Sequence, residues 1–148
     1  LLQGDSGGKY TQEIRQIAQN AGHHVRFIDG FVSRNDMIGL LRQSHFSISV
    51  PFSDQLSSAI LESMSQGCVP ILRNLASYEP VRENAVLIKD APDIENLLVA
   101  AFEKTERMIN DEWSVKSESS IARIRKDYSR STIVGKYLAL LKYVESEI

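Results

Sequence analysis

The sequence predicts an α/β domain, a parallel sheet with helices on both faces. Three observations carry that expectation. Short β-like apolar runs alternate with longer stretches whose apolar residues recur at spacings of three and four. Strands separated by helices of this length pair in parallel, because each crossover returns the next strand in the same direction. The 148 residues, 43% hydrophobic with only 8 Gly and 4 Pro, can bury a substantial core without metal or disulfide staples.

Each element has its own signal. Leu1-Leu2-Gln3 suits the end of a strand. Lys9 to Ala21 reads as a helix, with Ile14, Ile17, Ala18 and Ala21 on one face and Gly22 as its stop. Val25-Arg26-Phe27-Ile28 is expected as a short strand ending at Asp29-Gly30. Ser33 is placed to cap the next helix with Asp36 three residues on, a capping-box arrangement, and Met37, Ile38, Leu40 and Leu41 form its apolar stripe. Phe46 to Val50 is the clearest strand, closed by Pro51. A polar loop then leads to a helix from about Ser57 to Gln66, ended by Gly67. Val69-Pro70-Ile71-Leu72 is a strand in which Pro70 argues for an edge or terminal place in the ladder. A short helical turn near Ser77 to Arg82 precedes the run Ala85 to Ile88. Asp93 opens a long helix carrying Ile94, Leu97, Leu98, Ala101 and Phe102. From Trp113 the chain is helical in two pieces joined near Ser129 to Thr132, the last with the stripe Val134, Tyr137, Leu138, Leu141 and Val144. The pattern is that of a Rossmann-like domain with a helical tail.

Composition removes several functional classes. Seventeen Lys+Arg against 19 Asp+Glu give a net charge of −2, which offers no general field for nucleic acid or an anionic membrane. One cysteine makes no internal disulfide and fits a reducing compartment. No apolar run approaches the roughly 20 residues of a membrane helix. The chain starts at Leu1 rather than methionine and is expected to be part of a longer protein.

Gln3-Gly4-Asp5-Ser6-Gly7-Gly8 has the letters of a serine-protease nucleophile segment, but a triad there needs a histidine and an aspartate before the serine. Only five residues precede Ser6, and His23, His24 and His45 all follow it. No G-x-G-x-x-G or G-x-x-x-x-G-K-[ST] occurs, and no Cys/His cluster suggests zinc. His23 and His24 suit a helix C-terminus, and Cys68 a small buried apolar position.

The informative text is Ser49 to Pro70. In parallel sheets ligands bind beyond the carboxyl ends of the strands, and here a strand ends at Pro51, a loop holds Asp54, and a helix begins at Ser57-Ser58. Free N–H groups and the positive end of the helix dipole make such a helix start receptive to phosphate. Glu62, about one and a half turns in, can accept from two vicinal hydroxyls such as those of ribose. Asp54, across the loop, is placed for hydroxyls of a second sugar. Two carboxylates flanking a phosphate-receptive helix start describe a nucleotide-sugar site. Ser57 and Ser58 are also adequately explained as N-caps, Phe31 as a core residue, and Asp54 or Glu62 alone as a surface acid. Arg73, following a strand at the same edge, could reach a phosphate.

This segment resembles the donor-binding half of family 4 (group 1) retaining glycosyltransferases of GT-B architecture. The family's Glu-x7-Glu followed by a Met-Ala-x-Gly-x-Pro-like stretch stands here as Asp54-x7-Glu62 and Met64-Ser65-Gln66-Gly67-Cys68-Val69-Pro70. Val25 to Val32 matches the family's strand-Gly-Val turn, Met37 to Phe46 the helix after it, and Val86 to Leu97 its closing strand and helix start. The likeness covers most of positions 1 to 110. It implies that Glu62 holds the ribose, that Asp54 is the catalytic-site acid on the transferred sugar, and that amides near Ser57 and Ser58 meet the distal phosphate. Gly30, Phe31 and Val32 would line the base pocket. Asp54 is one methylene shorter than the usual Glu, Gln55 and Ser57 stand where glycines are common, and the family's Gly-Arg…Lys-Gly segment would lie upstream of Leu1.

The resemblance implies residues 1–112 as a Rossmann-like nucleotide-sugar-binding domain, one half of a GT-B fold, with helices 113–148 packing on it. The activity implied is hexosyl transfer from a UDP- or GDP-sugar to a hydroxyl acceptor for polysaccharide or glycolipid, with neither cofactor nor metal. An acceptor-binding domain would lie outside this chain, and the full enzyme would be cytoplasmic, at most peripheral to a membrane. Two alternatives stand beside it: a GT-B-like sugar-nucleotide epimerase and a non-catalytic Rossmann-like association module.

Overall fold

The structure, a computed structural model, describes residues 8–20, 26–28, 30–89 and 94–146. Two compact units divide the chain, Leu1–Met37 and Ile38–Ile148.

In the first unit, helix α1 spans Lys9–Asn20, as its three-and-four spacing predicts. Ile14 is half-buried, but Ile17 is exposed. The expected strand at Val25 to Ile28 does not form: Arg26 to Ile28 are irregular, and Val25 lies outside the described residues. A strand needs a partner ladder for its N–H and C=O groups. The sheet of the described residues holds three strands, all from positions 46 to 88, and Phe27 instead lies under the Arg15 guanidinium at 5.3 Å. The expected strand end at Leu1 to Gln3, the glycine-rich turn, Gly22, His23, His24 and Asp93 also lie outside the described residues.

Helix α2, Arg34–Arg42, is capped as expected. The Asp36 N–H donates to Ser33 Oγ at 3.2 Å, and that hydroxyl donates to Asp36 Oδ2 at 2.6 Å, satisfying one of the first-turn amides that the helix itself leaves without a partner. Its stripe of Met37, Ile38, Leu40 and Leu41 is half-buried rather than buried.

The second unit is a mixed α/β arrangement built on three parallel strands, β1 (Phe46–Ser49), β2 (Val69–Arg73) and β3 (Val86–Ile88), in the order β1-β2-β3. Helix α3 (Ser58–Ser65) crosses from β1 to β2, and a 3-10 helix (Ala76–Asn84) crosses from β2 to β3. Ser49 pairs with Leu72, and Leu72 with Leu87. β2 is therefore central, so of the two places expected for Pro70, an edge or the end of a ladder, it takes the second. It is tolerated because pairing with β3 begins only at Ile71, so the ladder on that side starts after the residue that lacks an N–H.

Alternation along β2 sends side chains into two cores. Leu72 joins Ile60 and Met64 of α3, Tyr78 and Val81 of the 3-10 helix, and Ile124. Val69 and Ile71 join Val86 and Ile88 of β3 with Ala101 and Met108 of helix α4, which spans Ile94–Asp111. Both faces of the sheet are thus covered, which is why β2 is buried at every position and reads as an unbroken apolar run up to Arg73.

Helix α5 (Trp113–Tyr128) packs on α3 and β2. Its Trp113 indole donates to the His45 carbonyl at 2.9 Å, which fixes the start of α5 at the amino end of β1. Helix α6 (Arg130–Ser146) follows and touches α5, but the residues of its expected stripe stay exposed. Val134, Tyr137, Leu138, Leu141 and Val144 are all exposed, as are Leu140 and Tyr143. Apolar residues surround this helix on every side, so no single face is selected for burial. Among the described residues, no helix is long and apolar enough to cross a membrane.

Candidate functional site at the carboxyl edge of the sheet

The carboxyl edge of β1 and β2 gathers the site. β1 ends at Ser49, the loop from Val50 to Ser57 has no regular structure, and α3 starts at Ser58. Beside it β2 ends at Arg73, and the 3-10 helix begins three residues later.

Ser57 is the N-cap of α3, in extended backbone at φ −73° and ψ 150°, but its hydroxyl makes no capping hydrogen bond. Ser58 is the first helical residue, so the reading of both serines as side-chain caps does not hold. The helical ladder starts with Leu61 N–H donating to the Ser57 carbonyl. The amides of Ser58, Ala59 and Ile60 therefore precede it and have no acceptor within the helix. Ile60, Ser63 and Met64 are the buried side of α3. Ser63 fastens it to β1, sharing a hydrogen bond with Ser47 at 2.9 Å. Glu62 is half-buried and follows Ser58 by four positions, which places the two on one helix face one turn apart.

Asp54 is half-buried in the loop. Its carboxylate oxygen Oδ2 accepts a hydrogen bond from the Tyr78 hydroxyl at 2.8 Å, across 24 positions of sequence. Tyr78 is 1% exposed, and Ser49 also hydrogen-bonds the phenol. Burial, then the adjoining Asp54 carboxylate, push the phenol up from 10.0 to about 12.

A folded-state pKa raised above the unfolded value means that the native state holds this proton more tightly. The contribution is complete below pH 10 and is lost as pH rises through 12. We expect stability to fall by about 2 kcal/mol between pH 10 and 12 from this group. The fall should be absent in Tyr78→Phe, as measured by urea unfolding across that window.

Arg73 is only 4% exposed, not the surface arginine that its residue type suggests. Its guanidinium lies over the Phe52 ring at 4.4 Å, a cation–π contact that orients a cation at the same edge as the start of α3. Phe52 itself is 87% exposed.

Asp54, Ser57, Ser58 and Glu62 thus belong to one segment of the second unit, joined there by Ser49, Phe52, Arg73 and Tyr78. Gly30, Phe31 and Val32 belong to the first unit. Gly30 has φ +85°, a conformation that glycine adopts without strain. Phe31 is 90% exposed, which removes its reading as a core residue, and Val32 is half-buried. Sequence reasoning placed Phe52 and Tyr78 in segments at the ligand edge of the sheet but gave neither a role. Neither carries a periodic or motif signal; chain continuity puts Phe52 beside Asp54, whereas Tyr78 and Arg73 reach that loop because β1 pairs with β2.

Other features lie away from this edge. A hollow of about 390 Å³ is lined by Ala100, Glu103, Lys104, Arg107, Met108 and Glu112. It sits near the start of α5, which the Trp113–His45 bond places at the opposite, amino edge of the strands. Cys68 is buried and donates to the carbonyls of Leu41 and Ser44. Burial raises its thiol pKa, which suits the small buried role expected of it. Among the described residues, no group of three or more His, Cys, Asp and Glu could hold a metal ion. No protein-family model matches the chain, and no curated protein matches it.

Proposed function

We propose that this chain is the nucleotide-sugar-binding domain of a retaining, GT-B glycosyltransferase, Rossmann-like in fold, which moves a hexose from an NDP-sugar to a hydroxyl acceptor. The observation that carries the reading is that Asp54, in the loop before α3, and Glu62, one turn into α3, are both half-buried on the segment that follows the carboxyl end of β1 in a parallel sheet. A diphosphate meets the α3 amides and the dipole of an eight-residue helix, which need no rearrangement to receive negative charge. The carboxylate of Glu62 accepts from the ribose hydroxyls. The carboxylate of Asp54 accepts from the hexose. As the sugar–phosphate bond breaks, charge grows on the leaving diphosphate, and fixed N–H donors and an oriented arginine stabilise it. Arg73, at the end of β2 and held over Phe52, is the cation assigned to that task. The acceptor-binding half, which the resemblance puts ahead of this domain, completes the enzyme on the cytoplasmic side of a membrane.

Calorimetric titration with UDP- and GDP-hexoses tests the reading. Binding of one of them is expected, and Glu62→Ala should weaken it about tenfold or more, since hydrogen bonds to a charged group contribute about 1.5–3 kcal/mol each. Affinity that survives Glu62→Ala unchanged, in a variant with native circular dichroism, would overturn the ribose role.

A further inference from the structure

We propose that Tyr78 is a positioning residue that engages one oxygen of the Asp54 carboxylate and presents the other to a hydroxyl of the hexose in a nucleoside-diphosphate sugar. The inference rests on the donor-binding reading above and adds to it the device that orients the sugar.

The geometry supplies the argument. Asp54 stands in a loop without regular structure, where no helical or strand ladder holds its backbone. Tyr78 has a rigid frame. Its ring is buried among Met64, Leu72 and Val81, on a segment that directly follows the central strand. A ring packed in this way has one orientation available, so its hydroxyl is a fixed point in space. The 2.8 Å bond to Oδ2 transmits that fixity to the carboxylate. It also divides the two oxygens: Oδ2 faces the phenol in the protein interior, and a ligand hydroxyl at the sheet edge meets Oδ1. The phenol remains a donor throughout the neutral range, because its proton is held up to about 12. The short aspartate side chain suits this arrangement. One fewer rotatable bond than glutamate leaves little freedom once a single oxygen is tied.

A simple latch on the loop would be a different role, with a different signature. Loosening the loop would also disturb the amides at the start of α3, which meet the phosphates, and so would weaken NDP and NDP-hexose alike. Loss of positioning removes only what the hexose adds.

The test measures dissociation constants of the full chain for UDP, UDP-hexose, GDP and GDP-hexose by calorimetry, in the wild type, Tyr78→Phe, Asp54→Asn and the double variant. Expected for Tyr78→Phe is a drop of about tenfold in the ratio of the NDP to the NDP-hexose constant, the size of one charge-assisted hydrogen bond. The NDP constant itself should stay in place. Asp54→Asn should lower the ratio as much, and the double variant no further. A ratio unchanged in Tyr78→Phe, or equal weakening of NDP and NDP-hexose, overturns the proposal.

Tyrosinate absorbance provides a second measurement that does not depend on binding. One tyrosine should ionise late in the wild type and earlier in Asp54→Asn, and an unchanged titration overturns the Tyr78–Asp54 contact. The two readings fail differently. A wild type that binds neither NDP nor NDP-hexose overturns donor binding altogether, whereas one that binds NDP but gains nothing from the hexose retains the nucleotide site and loses the sugar role of Asp54.

Discussion

Leu72→Ala is expected to destabilise the second unit by about 3–4 kcal/mol, near the middle of the range for truncating a buried leucine. Leu72 is fully buried in the central strand, paired on one side with Ser49 and on the other with Leu87. Its side chain enters the core between the sheet and α3, against Met64, Tyr78 and Val81. Neighbours anchored on a strand and on helices collapse poorly into a vacated volume, so the lost transfer energy is joined by a cavity term. Urea unfolding checks the value. Ile48→Ala, at a strand position that is 50% exposed, is the control and should change stability by less than about 1 kcal/mol. Equal effects at the two positions would mean that the core does not sit where the register of β2 puts it.

Gly67→Ala is expected to be nearly as damaging, at about 3 kcal/mol, for two reasons that add. Gly67 ends α3 in the left-handed region at φ +95°. There its N–H donates to the Met64 carbonyl while Cys68 N–H donates to that of Ser63, the paired bonds of a Schellman motif. Alanine in that conformation is strained by about 1–2 kcal/mol. Its Cβ would also lie 2.8 Å from Ser117 Oγ and 3.6 Å from Ile121 Cδ1, so the Ser117 side chain or α5 itself would have to move. Thermal unfolding by circular dichroism should show the midpoint lowered by several degrees, roughly 2–4 °C for each kcal/mol in a chain of this size. The double variant with Ser117→Ala should recover part of the loss. No recovery would assign the whole effect to backbone strain.

Gly67 also marks how far sequence could be read. A glycine after an apolar-periodic stretch is a helix stop on conformational grounds alone, and the structure ends α3 there. The three strands were legible for a similar local reason: each is a β-branched or aromatic run bounded by polar or turn-forming residues. Arg26 to Ile28 show the limit of that signal. The run has strand composition, yet a strand exists only where a partner ladder receives it. The apolar residues of α6 show the same limit for helices, since spacing does not record whether another surface covers them.

The candidate site divides along the same line. Asp54, Ser57, Ser58 and Glu62 lie within nine consecutive positions, so their grouping on one loop and one helix turn is a local property that spacing expresses. Arg73 and Tyr78 reach that group only because β2 pairs beside β1. Arg73 looked like any arginine after a strand until the parallel register put its stem in the interior and its guanidinium over Phe52.

By itself, then, the sequence determined the order of most helices and strands in the second unit, the stop at Gly67, the cap at Ser33 and the segment that holds both carboxylates. These depend on backbone conformational preference and on periodicity over a few residues, which act within one element. The tertiary structure alone decided that β2 is central, that Arg73 is buried, that α6 keeps its apolar residues exposed, and that a tyrosine 24 positions away holds Asp54. Each of these depends on contacts between elements distant in sequence. Their energies arise only when burial and strand register bring the partners together.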